Sequence, residues 1–502
     1  MIEKTFALSA CALGWGVTAF AQQRPNIILL MSDQHRSDVM GCMGNDVAIT
    51  PNMDALASDG TLFQSGYSSC PSSTPARAGL LTGMSPWHHG MLGYGRLAPH
   101  YRYEGPQMLH DAGYFTYAIG KNHWYPQRGR RGLDGMLLDE SGRVEDVGFV
   151  SDYRQWLQLQ SPGVNPDATG LGWNAHGARP YALADTLHPT YWTGLKACEF
   201  IRHYNLQKPL FLKVSFARPH SPFDPPQRYV DAYKGRIMPM RAIGDWCGVW
   251  SKELDVTKSN PEADKGNFGE AYAQRSKLYY YANVTFIDEQ IGKIIEELKR
   301  KGMYENSLIV YISDHGDQLG DHYHWRKTYP FEASTHIPYI VKWPSSLPKH
   351  PATASQPVEL RDILPTFLET AGVDVPEDMD GRSLYRLAEG KGKDWRRYID
   401  LEHALCYRSN EEWCGLTDGH MKYVWYFYDG RELLFDLQKD PNELHNAAAD
   451  KKYAKTLKTM RQALVEHLSE RGTQYVKDGK LVQRKGKILY SPLYPREAKT
   501  SK

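Results

Sequence analysis

Cysteine is scarce: seven in 502 residues. Beyond Cys11 the other six, Cys42, Cys70, Cys198, Cys247, Cys406 and Cys414, are widely dispersed. This excludes a disulfide-built scaffold, and no pair has zinc-finger spacing. Disulfide pairing in an exported chain is not readable from the spacing. An excess of one charge is also missing, since 60 Lys plus Arg stand against 58 Asp plus Glu, a net +2. A strongly basic nucleic-acid binder and an acidic disordered chain are thereby excluded, and the basic stretch after Lys477 reads as a solvated tail. Internal repeats are absent, which excludes a solenoid. So are uncharged runs of the about 20 residues that a membrane-spanning helix needs.

Met1 to Ala21 places Lys4 ahead of a 15-residue uncharged run, Phe6 to Phe20, and closes on Ala19-Phe20-Ala21. A charged start, an apolar middle and a small-x-small end form a secretory signal, cleaved after Ala21, and imply an exported, periplasmic protein. Leu8-Ser9-Ala10-Cys11 resembles a lipoprotein cleavage box, so lipidation at Cys11 is the alternative; few apolar residues precede it. Hydrophobic residues at 41% suffice for a large core, and 32 Tyr with 13 Trp supply amphipathic rings that suit either a core or a sugar-binding surface.

Four apolar runs read as buried strands, each running into polar residues. Ile27–Met31 leads to Ser32-Asp33-Gln34-His35, and Phe115–Gly120 leads to Lys121-Asn122-His123-Trp124. Leu210–Phe216 leads to Arg218-Pro219-His220, and Leu308–Ile312 leads to Ser313-Asp314-His315. Ile287, Ile291, Ile294, Ile295 and Leu298 share a helical face just before the fourth run. Strand–helix alternation implies an α/β fold with a largely parallel sheet covered on both sides. Ligands of such sheets bind beyond the carboxyl ends of the strands, where the four clusters would meet.

A fifth segment, Ser73-Thr74-Pro75-Ala76-Arg77, reads as a helix start, with Pro75 in the first turn and Ser73 or Thr74 near the cap. Ser73 and Arg77 fall on one side of that helix. A hydroxyl beside an arginine at a helix start suits attack on an anionic ester.

With Leu81-Thr82-Gly83 following, this segment resembles the signature of the formylglycine-dependent sulfatases, Cys or Ser-x-Pro-x-Arg and then Leu-Thr-Gly. Ser73 at the first position resembles the serine-type bacterial branch. Thr74, not Arg, lies four residues after Cys70, so Cys70 does not fit the modified position. The resemblance runs from about Arg24 to about Asp450. It implies an alkaline-phosphatase-like mixed, mainly parallel sheet between helices, and a smaller C-terminal antiparallel sheet with a helix. The expected divisions are a signal peptide at 1–21, a catalytic domain at 22–388 and a C-terminal α+β subdomain at 389–502.

The resemblance also implies a maturase that oxidises Ser73 to Cα-formylglycine. The hydrated aldehyde offers one oxygen to attack sulfur and a second hydroxyl to release sulfate, an exit that plain serine lacks. Asp33, Gln34, Asp314 and His315, with the modified Ser73, match the family's metal ligands. Calcium suits the oxygens, while the His315 nitrogen leaves Mn2+ or Mg2+ as alternatives. Gln34 and His315 stand where many members have Asp and Asn. Arg77 is expected to support the metal end, Lys121 and Lys327 to bind sulfate oxygens, and His123 to lie near formylglycine. Lys327 precedes Glu332 by five residues, as in the family's Lys-Gly-x-x-Tyr-Glu pattern. His220, in Pro219-His220-Ser221-Pro222, is expected to protonate the departing alkoxide.

For the sugar, candidate contacts are His35, Arg36, Trp87, His88, His89, Trp124, Arg128 and Arg130, chosen because they adjoin the landmarks. Aromatic rings stack on pyranoses and arginines pair with carboxylates or sulfates. The expected substrate is a sulfated glycan, first an N-acetylgalactosamine sulfate of chondroitin or dermatan, attacked from the chain end. The alternatives are a phosphodiesterase or phosphonate hydrolase on the same fold, or an inactive glycan-binding protein if Ser73 is not matured.

Overall fold

The computed structural model describes residues 24–248, 251–404, 407–408 and 410–496. The signal peptide, the lipidation alternative at Cys11 and Cys406 lie outside the described residues. Eight strands form the main sheet: β1 (Asn26–Asp33), β2 (Thr61–Phe63), β3 (Phe115–Gly120), β4 (Gly135–Leu138), β5 (Leu210–Pro219), β6 (Ser307–Ser313), β7 (Tyr339–Lys342) and β8 (Thr353–Ala354). Their order across the sheet is β4-β3-β5-β1-β6-β7-β2-β8. The first five run parallel; β7 pairs antiparallel with both neighbours, and β2 and β8 are again parallel.

Successive residues of a strand point to opposite faces, and β1 feeds two cores accordingly. Ile28 and Leu30 pack with Ile287, Ile291, Ile294 and Leu298 of the helix Glu270–Arg300 (α3). Ile27, Leu29 and Met31 pack on the other face with Ala76, Ala78 and Leu81 of the helix Ser73–Thr82 (α1) and with Ile363 and Phe367 of the helix Ile363–Thr370 (α4). The helix Pro189–His203 (α2) joins the α3 side through Ala197 and Ile201. Both faces are covered, so the central strands carry no polar alternation, and every residue of β5 and β6 is buried. No described helix is long and apolar enough to cross a membrane.

The smaller sheet is an antiparallel meander of β9 (Ile399–His403), β10 (Trp413–Thr417), β11 (Met421–Tyr426) and β12 (Glu432–Asp436). Leu416, Tyr423 and Leu434 on one face pack under Met460, Leu464 and Leu468 of the helix Ala454–Leu468 (α5). Ile399, Leu401, Trp413, Val424 and Phe435 on the other face pack against Tyr67, Tyr329 and Phe331 of the main body.

The stretch after Lys477 departs from the solvated tail expected for it. Tyr490 bridges to Met91, Ser491 Oγ donates to the Trp87 carbonyl at 2.7 Å, and Tyr490 and Tyr494 pack on the main core. Aromatic residues inside the basic stretch anchor it, an effect its charge count concealed.

Candidate active site

The four strand-end clusters meet beyond the carboxyl edge of the parallel strands. Asp33 ends β1 at a register shift against β5, where it pairs with Pro219. Its carbonyl accepts from the His220 backbone N–H at 3.0 Å, which fixes His220 beside it. Lys121 continues β3, its N–H donating to the Ser215 carbonyl at 2.8 Å. Asp314 and His315 follow β6.

Helix α1 delivers Ser73 and Arg77. Its cap is Ser72, one residue earlier than the sequence indicates, so Ser73 is the first helical residue. Ser72 Oγ meets His403 Nε2 at 2.8 Å, tying the helix start to the smaller sheet. One turn on, Arg77 donates to the Asp33 carboxylate at 3.2 Å, the Asp314 carboxylate at 3.1 Å and the Lys121 carbonyl at 2.9 Å. Lys121 is ion-paired with Asp33. All four side chains are at most 1% exposed. Pairing, not solvent, therefore carries these charges: a single buried ion is costly, whereas an interlocked set compensates each member.

His315 is positioned for ligation. Its Nδ1 donates to the Gly316 carbonyl at 2.9 Å, which leaves the Nε2 lone pair facing Ser73 Oγ at 3.1 Å. The same Nε2 stands 4.0 Å from Asp33 Oδ1 and 3.8 Å from Asp314 Oδ1. Asp33, Asp314 and His315 form a buried group whose ligand atoms all lie within 4.8 Å of one another. Asp33 Oδ1 is buried without a hydrogen-bond partner, which leaves a carboxylate lone pair available within that group. The residues present therefore fit a divalent cation. Gln34 is oriented differently: its side-chain oxygen accepts from Lys327 Nζ at 2.7 Å, and its amide nitrogen bonds Asp317.

The electrostatics follow from burial and from neighbouring charges. Burial pushes the Asp33 carboxyl up, but Lys121, His220, Arg77 and His315 together hold it well below the usual range. Burial drives His220 well below 6.5, and Lys327 beside it adds to the shift. His220 Nδ1 donates to the Ser221 carbonyl at 3.0 Å, so its Nε2 accepts the Lys327 proton at 2.7 Å. Burial also drives His123 well below 6.5, with Arg143 and Lys121 in support. Both His123 ring nitrogens are buried without a hydrogen-bond partner.

Five residues at this site hold left-handed backbone without being glycine: Gln34 (φ 70°), His123 (φ 56°), Ser141 (φ 55°), Arg326 (φ 69°) and Thr328 (φ 81°). Such a conformation costs roughly 1 kcal/mol per residue. At His123 the Glu140 carboxylate compensates by accepting the Asn122 and His123 N–H groups, each at 2.9 Å. Thr328 N–H donates to the Pro71 carbonyl at 3.0 Å, pinning the loop that carries Lys327.

Ser73, His123, His220 and Lys327 open onto a cavity of about 450 Å³. The family description Sulfatase matches residues 25–373, and that of N-sulphoglucosamine sulphohydrolase, C-terminal, matches residues 320–470. The chain belongs to the sulfatase family. An arylsulfatase of Clostridium perfringens is 35% identical over 475 residues, covering 92% of this chain and 98% of that protein. An N-acetylglucosamine-6-O-sulfatase of Bacteroides thetaiotaomicron is 27% identical over 510 residues, covering 88% of this chain and 86% of that protein. The fold is shared with a protein solved in complex with its substrate, D-glucosamine-2-N,6-O-disulfate. That likeness has a TM-score of 0.71 at 24% identity, over 89% of this chain and 98% of the other. It is shared equally with a phosphonate monoester hydrolase of Agrobacterium radiobacter, at a TM-score of 0.74 and 23% identity, over 92% of this chain and 100% of that one. The protein is accordingly a sulfuric ester hydrolase on the alkaline-phosphatase-like fold.

None of the eight sugar-contact candidates lines the sulfatase cavity. His35 is fully buried against the Tyr311 hydroxyl and the Val39 carbonyl. Arg36 is paired with Asp38 and Asp321. Trp87 packs on Tyr475 and Arg471, His88 bonds Asp380, and His89 is buried with Nδ1 accepting from the Met91 N–H. Trp124 lies under Lys213 and Arg131. Arg128 reaches Asp152, and Arg130 lies on an exposed loop. Proximity in sequence misdirects the choice because the chain turns inward or away straight after each strand-end cluster. The wall is built instead by Arg326, which adjoins Lys327, and by residues remote from the motifs, including Tyr94, Arg143, Trp173, Asn174 and Tyr407.

Proposed function

We propose that the chain removes sulfate from a sulfated glycan with a formylglycine formed at Ser73 by a maturase. The first choice is an N-acetylgalactosamine sulfate of chondroitin or dermatan, attacked from the chain end. The observation that carries the reading is the position of Ser73 Oγ, 3.1 Å from His315 within the three-residue ligand group and facing the cavity that His220 and Lys327 line. A pocket of about 450 Å³ ending on a buried ionic floor suits a terminal sugar bearing the ester. A relative named for an N-acetylated amino sugar, the N-acetylglucosamine-6-O-sulfatase, supports that substrate class.

Asp33, Asp314 and His315 would hold the cation, with Gln34 and the modified Ser73 as further candidate ligands. Oxygen donors favour calcium, and the His315 nitrogen keeps manganese and magnesium as alternatives for metal analysis to separate. When bound, such an ion polarises the sulfate as a Lewis acid. Hydrated formylglycine supplies both the attacking oxygen and the hydroxyl through which sulfate leaves.

The remaining work falls to the chain's own side chains. Lys121 and Lys327 supply positive charge for the sulfate oxygens. Arg77 braces Asp33 and Asp314 so that neither carboxylate swings away. His220 Nε2 and Lys327 Nζ share one proton across 2.7 Å. An arriving sulfate draws the Lys327 ammonium to itself and frees His220 Nε2, whose uptake of a proton from solvent the anion's charge favours; His220 then gives that proton to the departing sugar oxygen. His123 lines the cavity and supplies a further nitrogen beside the nucleophile's position.

The test is parallel turnover by matured protein of aryl sulfates, aryl phosphates and defined sulfated mono- and disaccharides. Sulfate release from an N-acetylgalactosamine sulfate is expected. Turnover of aryl sulfates alone removes the glycan claim, and a preference for phosphate or phosphonate esters overturns the reaction.

A further inference from the structure

The cavity above Ser73 carries more positive charge than one sulfate ester requires. Among the described residues its charged lining consists of Arg143, Arg326 and Lys327, besides His123 and His220, with no carboxylate. Lys327 is held at the floor by Gln34 and His220. The two arginines belong to the wall. Arg143 Nη1 is buried without a hydrogen-bond partner. The Arg143 guanidinium comes no closer than 3.6 Å to Glu145 and 3.9 Å to Glu140, outside good hydrogen-bond distance. Arg326 donates Nη1 to the Glu262 carbonyl at 3.0 Å, while its Nε is buried without a partner. Its guanidinium lies over the Tyr407 ring, 4.4 Å from the centroid. The left-handed backbone of Arg326 turns this side chain to the wall while Lys327, next in sequence, goes to the floor.

Rings accompany these charges. Trp173 and Tyr94 line the same cavity, and Tyr94 lies 6.0 Å from the His123 ring, between centroids. Unsatisfied guanidinium donors beside aromatic faces form the chemistry that recognises an anionic sugar, ring on ring and fork on oxyanion. Resting on the sulfatase reading of this site, we infer that Arg143 and Arg326 form a second anion subsite. The substrate then carries a further negative group, a carboxylate or a second sulfate, besides the ester that is cut. Glu140 and Glu145 also face Arg143, but at 3.9 and 3.6 Å they pair with it loosely and leave its Nη1 donor without a hydrogen-bond partner.

Binding tests this independently of turnover. Protein made without the maturase, still carrying serine at position 73, is titrated calorimetrically with three sugars. These are a monosulfated amino sugar, the same sugar with a second sulfate, and the same sugar linked to a uronate. The second anion is expected to tighten binding at least about tenfold, as one or two charge-assisted bonds do. Arg143→Gln with Arg326→Gln should abolish that advantage and leave the monosulfated sugar within about threefold, and Arg143→Lys with Arg326→Lys should restore part of it. The uronate and second-sulfate arms identify which anion is taken. An advantage that persists in the Gln variants, an absent advantage in the unaltered chain, or no binding of any of the three sugars overturns the subsite. If the advantage is present but matured protein cleaves no sulfate ester, the subsite stands and the proposed reaction falls.

Discussion

On the floor of the cavity Asp33, Arg77, Lys121 and Asp314 are at most 1% exposed, and each is held by at least one opposite charge. On the wall Arg143 is 24% exposed, and its nearest carboxylate oxygens stand 3.6 and 3.9 Å away. The floor is a closed set of compensated charges, rigid because removal of one partner strands another in a dry interior. The wall is an open set with unused donors, adjustable because its charges still reach water. A reaction shared by a family belongs on the first kind of surface, and discrimination among substrates on the second.

The largest difference between the two should come from Ser73→Ala. This variant removes the site of oxidation and should lower sulfate release by at least about 10³-fold on every substrate. Its melting temperature should stay within a few degrees, because among the described residues Ser73 Oγ makes one side-chain hydrogen bond, to His315. Steady-state assay and thermal melting check both halves, and substantial residual turnover would remove Ser73 from the mechanism.

His220→Gln should cost about 10²–10⁴ in kcat on sugar sulfates and much less on aryl sulfates, whose phenolate departs without a proton. Equal losses on the two would contradict the general-acid role.

Arg36 sharpens the contrast from the other side, since it is a sugar-contact candidate that the structure places in an interior network. Burial raises the Asp321 carboxyl, but Lys277 and Arg36 outweigh it and hold it at about 2. The folded value lies below the ordinary 3.8, so this pair stabilises the fold above that pH, and the contribution fades as pH falls through about 2. The shift corresponds to about 2 kcal/mol. Asp321→Asn should therefore lower the melting temperature at pH 7, and the gap from the unaltered chain should narrow between about pH 4 and pH 2. A gap independent of pH would remove the charge-based account.

Smallest of all, Arg128→Ala and Arg130→Ala should leave kcat/KM within about twofold, since neither lines the cavity. A selective rise in KM for the glycan would return them to the wall.

The contrast also explains what the sequence disclosed. The floor was legible because short motifs follow buried strands, and a parallel sheet brings strand ends together wherever the intervening chain wanders. The apolar runs at Ile27, Phe115, Leu210 and Leu308 thus located Asp33, Lys121, His220 and Asp314. The small antiparallel sheet and its helix were legible through the resemblance to the sulfatase family. The wall was not, because Tyr94, Arg143, Trp173 and Tyr407 lie on segments without regular periodicity, and only tertiary packing brings them together. Left-handed backbone at Arg326 and Thr328 likewise leaves no mark in residue type. His35 and Trp124 show the converse: polar or aromatic character beside a motif carried no information about which way the chain turned next.

The central claim is that an oxidised side chain at position 73 faces one sulfate ester together with a divalent cation. Mass analysis of the Ser73-containing peptide, from active enzyme of the native host, tests it most directly. The account predicts a loss of about 2 Da from the serine form, the removal of two hydrogens that creates the aldehyde. Active enzyme whose peptide retains the full serine mass would contradict it.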